Sequence, residues 1–205
     1  MESISYTLST DQKVEFHIDD DPNLSWLSQF DSKSFNRMYM VIDDYIDENW
    51  GETLIDLLEK HDKEIHRIRF KATEENKSLD KFVELVHEFE NQGLNRYDVL
   101  IAVGSGVLLD LVGFIASTYM RGIPLILVPT TLIGQVDAAT AGKTCVNSQN
   151  RKNLVGTLYL PNYVYNNISN LIHSKQEQII NLSIIKFDSK FTSYDFTISS
   201  KFIIN

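Results

Sequence analysis

The chain has 205 residues, 43% hydrophobic and 23% charged, a composition that leaves enough apolar residues for a core and excludes collagen-like, coiled-coil and largely disordered chains. With 19 basic residues against 28 acidic ones the net charge is -9, so the overall field repels polyanions. No local basic patch offsets it, and no nucleic-acid partner is expected. The single cysteine, Cys145, excludes an internal disulfide and fits a reducing compartment; it reads as a small packed residue rather than a nucleophile.

Residues 1–16 alternate polar and apolar types without a basic start or an apolar run, so they do not read as a secretory signal, and a cytoplasmic location is the expectation. The runs over 4–18 have the form of a strand or hairpin, closed by turn residues at 19–22. Residues 38–42 make a short apolar run ending at Asp43 and Asp44, the pattern of a buried strand with acidic residues at its carboxyl end. Leu54, Leu57 and Leu58 predict an amphipathic helix over 50–60. A strand over 65–70 follows, and then a helix over 79–89 carrying Phe82, Leu85, Val86 and Phe89, which Gly93 is placed to end.

Residues 99–103 are continuous and rich in β-branched types, as expected of a central parallel strand covered on both faces. They lead directly into Gly104-Ser105-Gly106, a helix over 107–120 and a further strand over 125–128. Asp110 and Arg121 interrupt this apolar stretch, so it is a buried strand, helix and strand rather than a membrane span. Alternation of strands with helices of this length predicts an α/β, Rossmann-like, mostly parallel sheet flanked by helices. Beyond Tyr165 the character changes, and 187–205 show no clear helical period.

A glycine turn at the carboxyl end of a central strand lets backbone N–H groups approach a diphosphate. The plain alternative is a tight βα connection without a ligand, and the third glycine of the usual fingerprint is replaced by Leu109. The block from 128 to 161 is more informative. It gathers Thr130, Thr131, Asp137, Lys143, Thr144, Asn147, Lys152 and Asn153 among small residues, which suits a phosphorylated or polyhydroxylated ligand.

From 98 to 161 the chain closely resembles the 3-dehydroquinate synthase family of sugar phosphate cyclases. The stretches "VGSGVLLDLVGF", "RG", "VPTTLIGQVD", "GKTCVN" and "KNLVG" follow the family pattern in order and spacing. Upstream, Asp43 ends a strand where the family binds the adenosine ribose, and "EENK" is similar to the family's Glu-x-x-Lys nucleotide contact. The resemblance implies a two-domain homodimeric enzyme with tightly held NAD and a divalent metal, zinc or cobalt. Such an enzyme converts 3-deoxy-D-arabino-heptulosonate 7-phosphate, a sugar phosphate, to 3-dehydroquinate and phosphate on the shikimate route to aromatic amino acids.

Carried over by motif position, Gly104, Ser105, Gly106 and Asp110 would lie at the NAD diphosphate, with Thr130 and Thr131 beside the cofactor. Asp43, Glu74 and Lys77 would hold its nucleotide end and Lys152 its near side. Asp137 would meet substrate hydroxyls, Lys143 and Asn153 would bind substrate, and Arg121 would reach the phosphate in a neighbouring subunit.

Ser105 and Arg151 each replace a family glycine. Residues 180–187, "INLSIIKF", resemble the segment that carries the family's first metal ligand, with its glycine and glutamate missing. None of His17, His61, His66, His87 and His173 sits in a matching motif, so no metal site is expected in this chain. The organisation implied is an NAD-binding domain over 1–165 and a truncated or degenerate start of the metal-binding domain over 166–205, with the family's C-terminal helical domain absent. Such a fragment would be inactive alone. The alternatives are a non-catalytic NAD-binding remnant or a secondary-metabolism cyclase making a valiolone or deoxy-inosose. Iron-dependent alcohol dehydrogenases share the architecture but continue differently after Pro-Thr-Thr. Leu132 and Ile133, which would meet the helical domain, should be exposed without it.

Overall fold

The computed structural model describes residues 13–167. Its strands β1 (Glu15–Asp19), β2 (Arg37–Asp43), β3 (Glu64–Phe70), β4 (Val99–Gly104), β5 (Leu125–Pro129) and β8 (Tyr163–Asn167) form one sheet in the order β1-β8-β5-β4-β2-β3. Every pairing in it is parallel. Helices α1 (Asp44–Glu59), α2 (Leu79–Asn91) and α3 (Gly106–Thr118) cover its faces. A separate antiparallel hairpin, β6 (Lys143–Val146) and β7 (Val155–Leu158), packs on α3.

Side chains of β2 alternate between two cores, as the period of a strand requires. Tyr39 and Val41 join Leu85 and Phe89 of α2 and Leu108 and Val112 of α3 on one face. Met38, Met40 and Ile42 join Leu54 and Leu58 of α1 with Leu24 and Leu27 on the other. All residues of β4 and β5 are buried, which explains their unbroken apolar runs.

Three boundaries differ from the sequence reading. The first helix starts at Asp44 rather than 50, because Asp43 is its N-cap and accepts a hydrogen bond from the Tyr45 N–H. The acidic residues that end β2 thus also open α1, where its dipole favours negative charge. Helix α3 stops at Thr118, since Met120 and Arg121 take left-handed φ values of 46° and 68°. Strand β8 continues through 165 to Asn167 and lies between β1 and β5. Residues 1–12 and 168–205 fall outside the described residues, so most of the 4–18 expectation and of the 166–205 unit, together with "INLSIIKF" and His173, lie there.

The topology marks where a ligand belongs. From β2 the chain moves outward to β3, and from β4 it moves the other way to β5. The carboxyl ends of β2 and β4 therefore frame the switch point at which open α/β sheets bind ligands.

Candidate functional site

Asp43 ends β2 and Gly104 ends β4, side by side at that switch point. A Cβ on Gly104 would stand 2.7 Å from Leu108 Cδ2 and 3.4 Å from Asp43 Cβ, and one on Gly106 would stand 3.3 Å from Ala138 Cβ. Glycine at 104 lets the first turn of α3 lie against the strand ends, and glycine at 106 lets it lie against the turn that carries Ala138. The Ser105 carbonyl takes the Leu108 and Leu109 N–H groups at 3.0 and 3.1 Å, so the Gly106 and Val107 N–H groups precede the first helical acceptor, and a helix start of this kind suits an anion. Ser105 occupies the N-cap without a side-chain cap hydrogen bond. Beside it the Thr130 N–H donates to the Gly104 carbonyl at 3.0 Å, and Thr131 Oγ1 accepts from the Gly134 N–H at 3.1 Å. Asp43 accepts from the Tyr45 and Ala72 N–H groups, each at 3.1 Å.

A second cluster surrounds Lys77, whose residue surface is 4% exposed. Its ammonium donates to Asp110 Oδ2 at 2.5 Å and to Asn153 Oδ1 at 2.7 Å. Burial works against the Lys77 charge, but the hydrogen bond and charge of Asp110 outweigh it and hold the ammonium pKa above its ordinary value. Burial pushes the Asp110 carboxyl up, with Lys77 opposing. Cys145 lies 3.5 Å from Asp110 Oδ2 and 3.3 Å from Asn153 Oδ1. Burial, reinforced by the Asp110 charge, raises its thiol pKa, which makes the thiolate scarcer.

Glu74 opens a short 3₁₀ turn, Glu74–Asn76, after β3. Its carboxylate accepts from Asn147 Nδ2 at 2.8 Å and lies 3.5 Å from Lys152 Nζ. The Asn147 hydrogen bond, then the lysine charges, lower its pKa. Asn147 belongs to the polar block and the "GKTCVN" stretch that the sequence assigns to a ligand; its contact with Glu74 becomes visible only where β6 brings the two together.

Between α3, the π-helical turn Gly134–Ala138 and the β6–β7 hairpin lies a cavity of about 530 Å³. Asp110, Asp137, Lys143, Cys145 and Asn153 contribute to its walls. The structure therefore gathers three of the four residues expected at the substrate. Arg121 is not among them: it is exposed beyond the far end of α3, a helix of 13 residues and so ~20 Å long at the usual rise. Ile133 is exposed and Leu132 half-buried.

Among the described residues no three His, Cys, Asp or Glu side chains are grouped to hold a metal ion. His17 packs on Trp26, His61 Nε2 lies 2.7 Å from the Leu27 carbonyl, and His66 stacks on Tyr39. Nor is any described helix long and apolar enough to cross a membrane.

The family model of the 3-dehydroquinate synthase N-terminal region matches residues 67–181. The chain belongs to this family. The 3-dehydroquinate synthase of Alkaliphilus oremlandii is 39% identical over 134 residues, covering 65% of this chain and 36% of the relative. Among solved structures, the 2-epi-5-epi-valiolone synthase ValA from Streptomyces hygroscopicus subsp. jinggangensis, with NAD+ and Zn2+ bound, is 30% identical with a TM-score of 0.76, over 87% of this chain and 49% of that one. A 2-deoxy-scyllo-inosose synthase complexed with carbaglucose-6-phosphate, NAD+ and Co2+ is 29% identical with a TM-score of 0.71, over 78% and 44%. The chain thus spans about two fifths of the length of the curated family relatives it matches.

Proposed function

We propose that the described residues form the cofactor-binding part of an NAD-dependent sugar phosphate cyclase of the 3-dehydroquinate synthase type, a carbon–oxygen lyase acting on 3-deoxy-D-arabino-heptulosonate 7-phosphate. The observation that carries this reading is the bridge made by Lys77. One buried ammonium joins Asp110, one turn after the glycine turn, to Asn153 in the cavity wall.

The crevice fits a dinucleotide through its glycine cradle, the free N–H groups opening α3 and an acid at the end of β2. Gly104, Ser105 and Gly106 would take the diphosphate, with Thr130 and Thr131 alongside. Asp43 would take the ribose at the nucleotide end, with Glu74 and Lys77 beside it, Asp110 at the diphosphate and Lys152 on the cofactor side. NAD held there would supply a reversible hydride acceptor for a ring carbinol, whose ketone form acidifies the neighbouring C–H for loss of phosphate.

The chain's own residues would hold the sugar phosphate for that chemistry. Asp137, exposed at the cavity, can accept hydrogen bonds from sugar hydroxyls. The exposed ammonium of Lys143 supplies a positive charge for phosphate or oxyanion. Fixing these groups converts binding into orientation of the reacting bonds. Zinc or cobalt, present in the two solved cyclases, finds no fitting donor set among the described residues. Arg121, remote from its own cavity, would serve the phosphate of a second copy in a homodimer.

Titration of the chain with NAD+ by calorimetry is the direct test, and a chain that binds none sinks the proposal. Phosphate release from the heptulosonate, with Lys143→Ala beside the wild type, tests the chemistry. The variant should keep NAD+ and lose whatever turnover the wild type has. NAD+ binding without phosphate release would favour a non-catalytic binding module.

The likeness to the valiolone and deoxy-scyllo-inosose synthases favours a second reading, a secondary-metabolism cyclase. Turnover of a heptulose 7-phosphate or of a hexose 6-phosphate in preference to the heptulosonate would select it, the seven-carbon sugar for a valiolone and the six-carbon sugar for a deoxy-inosose. The dimer is checked by light scattering on the wild type, and by loss of turnover in Arg121→Ala with NAD+ affinity retained.

A further inference from the structure

Asn147 follows the last residue of β6 and touches three separate parts of the site. Its backbone N–H donates to the Lys77 carbonyl at 2.8 Å. Its Nδ2 donates to Glu74 Oε1 at 2.8 Å and to the Glu74 carbonyl at 3.2 Å. Its Oδ1 accepts from the Asn153 N–H at 2.8 Å. The partners dictate which way the amide faces, because a reversed Asn147 would set its oxygen against two Glu74 acceptors and its NH₂ against an N–H donor.

Asn153 needs such a hold. Its φ is 54°, in the left-handed region that disfavours side-chain-bearing residues and that asparagine tolerates better than most. Its side-chain oxygen is taken by the Lys77 ammonium, with Cys145 Sγ also within reach. The orientation of Asn153 is therefore set from both ends, backbone by Asn147 and side chain by Lys77. What remains is the Asn153 Nδ2, for which no acceptor is found among the described residues, in a residue that lines the cavity.

We infer that Asn147 is a positioning residue, which clasps the turn carrying Glu74 to the loop carrying Asn153 so that Asn153 offers the cavity a hydrogen-bond donor. The ligand must then present an acceptor there, a hydroxyl or phosphate oxygen. The clasp also links a residue of the cofactor side to one of the substrate side. That last consequence rests on the function proposed above; the clasp itself does not.

The test is amide hydrogen exchange in the isotope-labelled full chain, read at Asn153 with Ile101 and Val103 of β4 as controls. Asn147→Ala removes the acceptor and should speed Asn153 exchange about tenfold, the scale of one lost hydrogen bond, with the controls unmoved. Asn147→Asp keeps an acceptor for Asn153 but sets a carboxylate against Glu74, so it too should speed exchange. Adding Glu74→Gln to Asn147→Asp supplies a donor opposite that carboxylate and should bring exchange back toward the wild-type rate, a rescue that general loosening of the loop would not give. Unchanged Asn153 exchange in Asn147→Ala, or no rescue by Glu74→Gln, overturns the inference. NAD+ titration of the same wild-type sample separates the two claims: the expected exchange pattern without NAD+ binding would overturn the functional reading and leave the role of Asn147 supported.

Discussion

Lys77 and Asp110 form an ion pair 2.5 Å across, with only 5% and 16% of their side chains exposed. Both charges have left water, and Asn153 satisfies part of what the ammonium lost. Removing one partner of such a pair strands the other, whereas removing both relieves the desolvation as well. Lys77→Met should therefore cost about 3 kcal/mol, and the Lys77→Met/Asp110→Leu double change distinctly less than the sum of the two singles. Urea unfolding of the four proteins measures this. Strict additivity would mean that the pair is not coupled.

Glu74 gives a pH dependence whose sign follows from its lowered pKa. The Asn147 hydrogen bond, followed by the charges of Lys152 and Lys77, favours the carboxylate in the folded chain. Its contribution is complete above the ordinary glutamate value of 4.5 and is lost as pH falls through the lower folded value. Protection of the Asn153 amide should weaken over that acid window in the wild type, and the weakening should be absent in Glu74→Gln. Exchange measured from pH 6 downward decides it, after correction for the intrinsic pH dependence of exchange.

Much of this arrangement could be read in the chain, and the reason differs from part to part. Strands β4 and β5 were legible because burial on both faces forces continuous apolar runs. The strand, glycine turn and helix over 99–118 were legible as a βα connection, because a continuous apolar run leads directly into Gly-x-Gly and an apolar helix; the pattern alone did not say whether the turn holds a ligand. The start of α1 was not, because Asp43 and Asp44 serve at once as a strand end and as a helix cap and first turn. Strands β6 and β7 were hidden in a block whose polar residues face a cavity, so no clean period survives. Asp137, Lys143 and Asn153 stood out in a polar block among small residues, and their individual roles came from family resemblance. That they share one cavity, and that Lys77 reaches it, depends on contacts 76 residues apart, which no local pattern carries.

The thiol of Cys145 should react slowly for its exposure. Burial and the Asp110 charge raise its pKa, so the thiolate is scarcer near neutral pH than in an ordinary cysteine. Alkylation by iodoacetamide, followed by mass spectrometry, should lag behind a model thiol at pH 8 and gain on it as pH rises. Asp110→Asn removes the charge and should speed the reaction at pH 8. A rate equal to the model thiol at pH 8 would contradict the assignment.

The glycine turn supplies the sharpest contrast, because two neighbouring positions have opposite tolerance. An alanine Cβ at Gly104 would meet Leu108 Cδ2 at 2.7 Å and Leu108 Cβ at 3.2 Å. The terminal methyl can swing away, but the Leu108 Cβ belongs to the first turn of α3 and cannot give without moving the helix start. That start is the element expected to meet a diphosphate, through N–H groups whose placement against the end of β2 sets the width of the crevice. Gly104→Ala should thus lower stability by about 1–2 kcal/mol, the usual cost of overpacking, and weaken NAD+ binding by at least about tenfold, since anion contacts from a helix start are lost with small displacements. Ser105 is different: its hydroxyl makes no cap hydrogen bond to α3, and Ser105→Ala removes nothing that holds the helix. That change should stay within about 0.5 kcal/mol, as surface substitutions do, with NAD+ affinity close to the wild type. Calorimetric titration of both variants with NAD+ decides the matter, for equal affinities would show that the close approach at Gly104 has no part in cofactor binding.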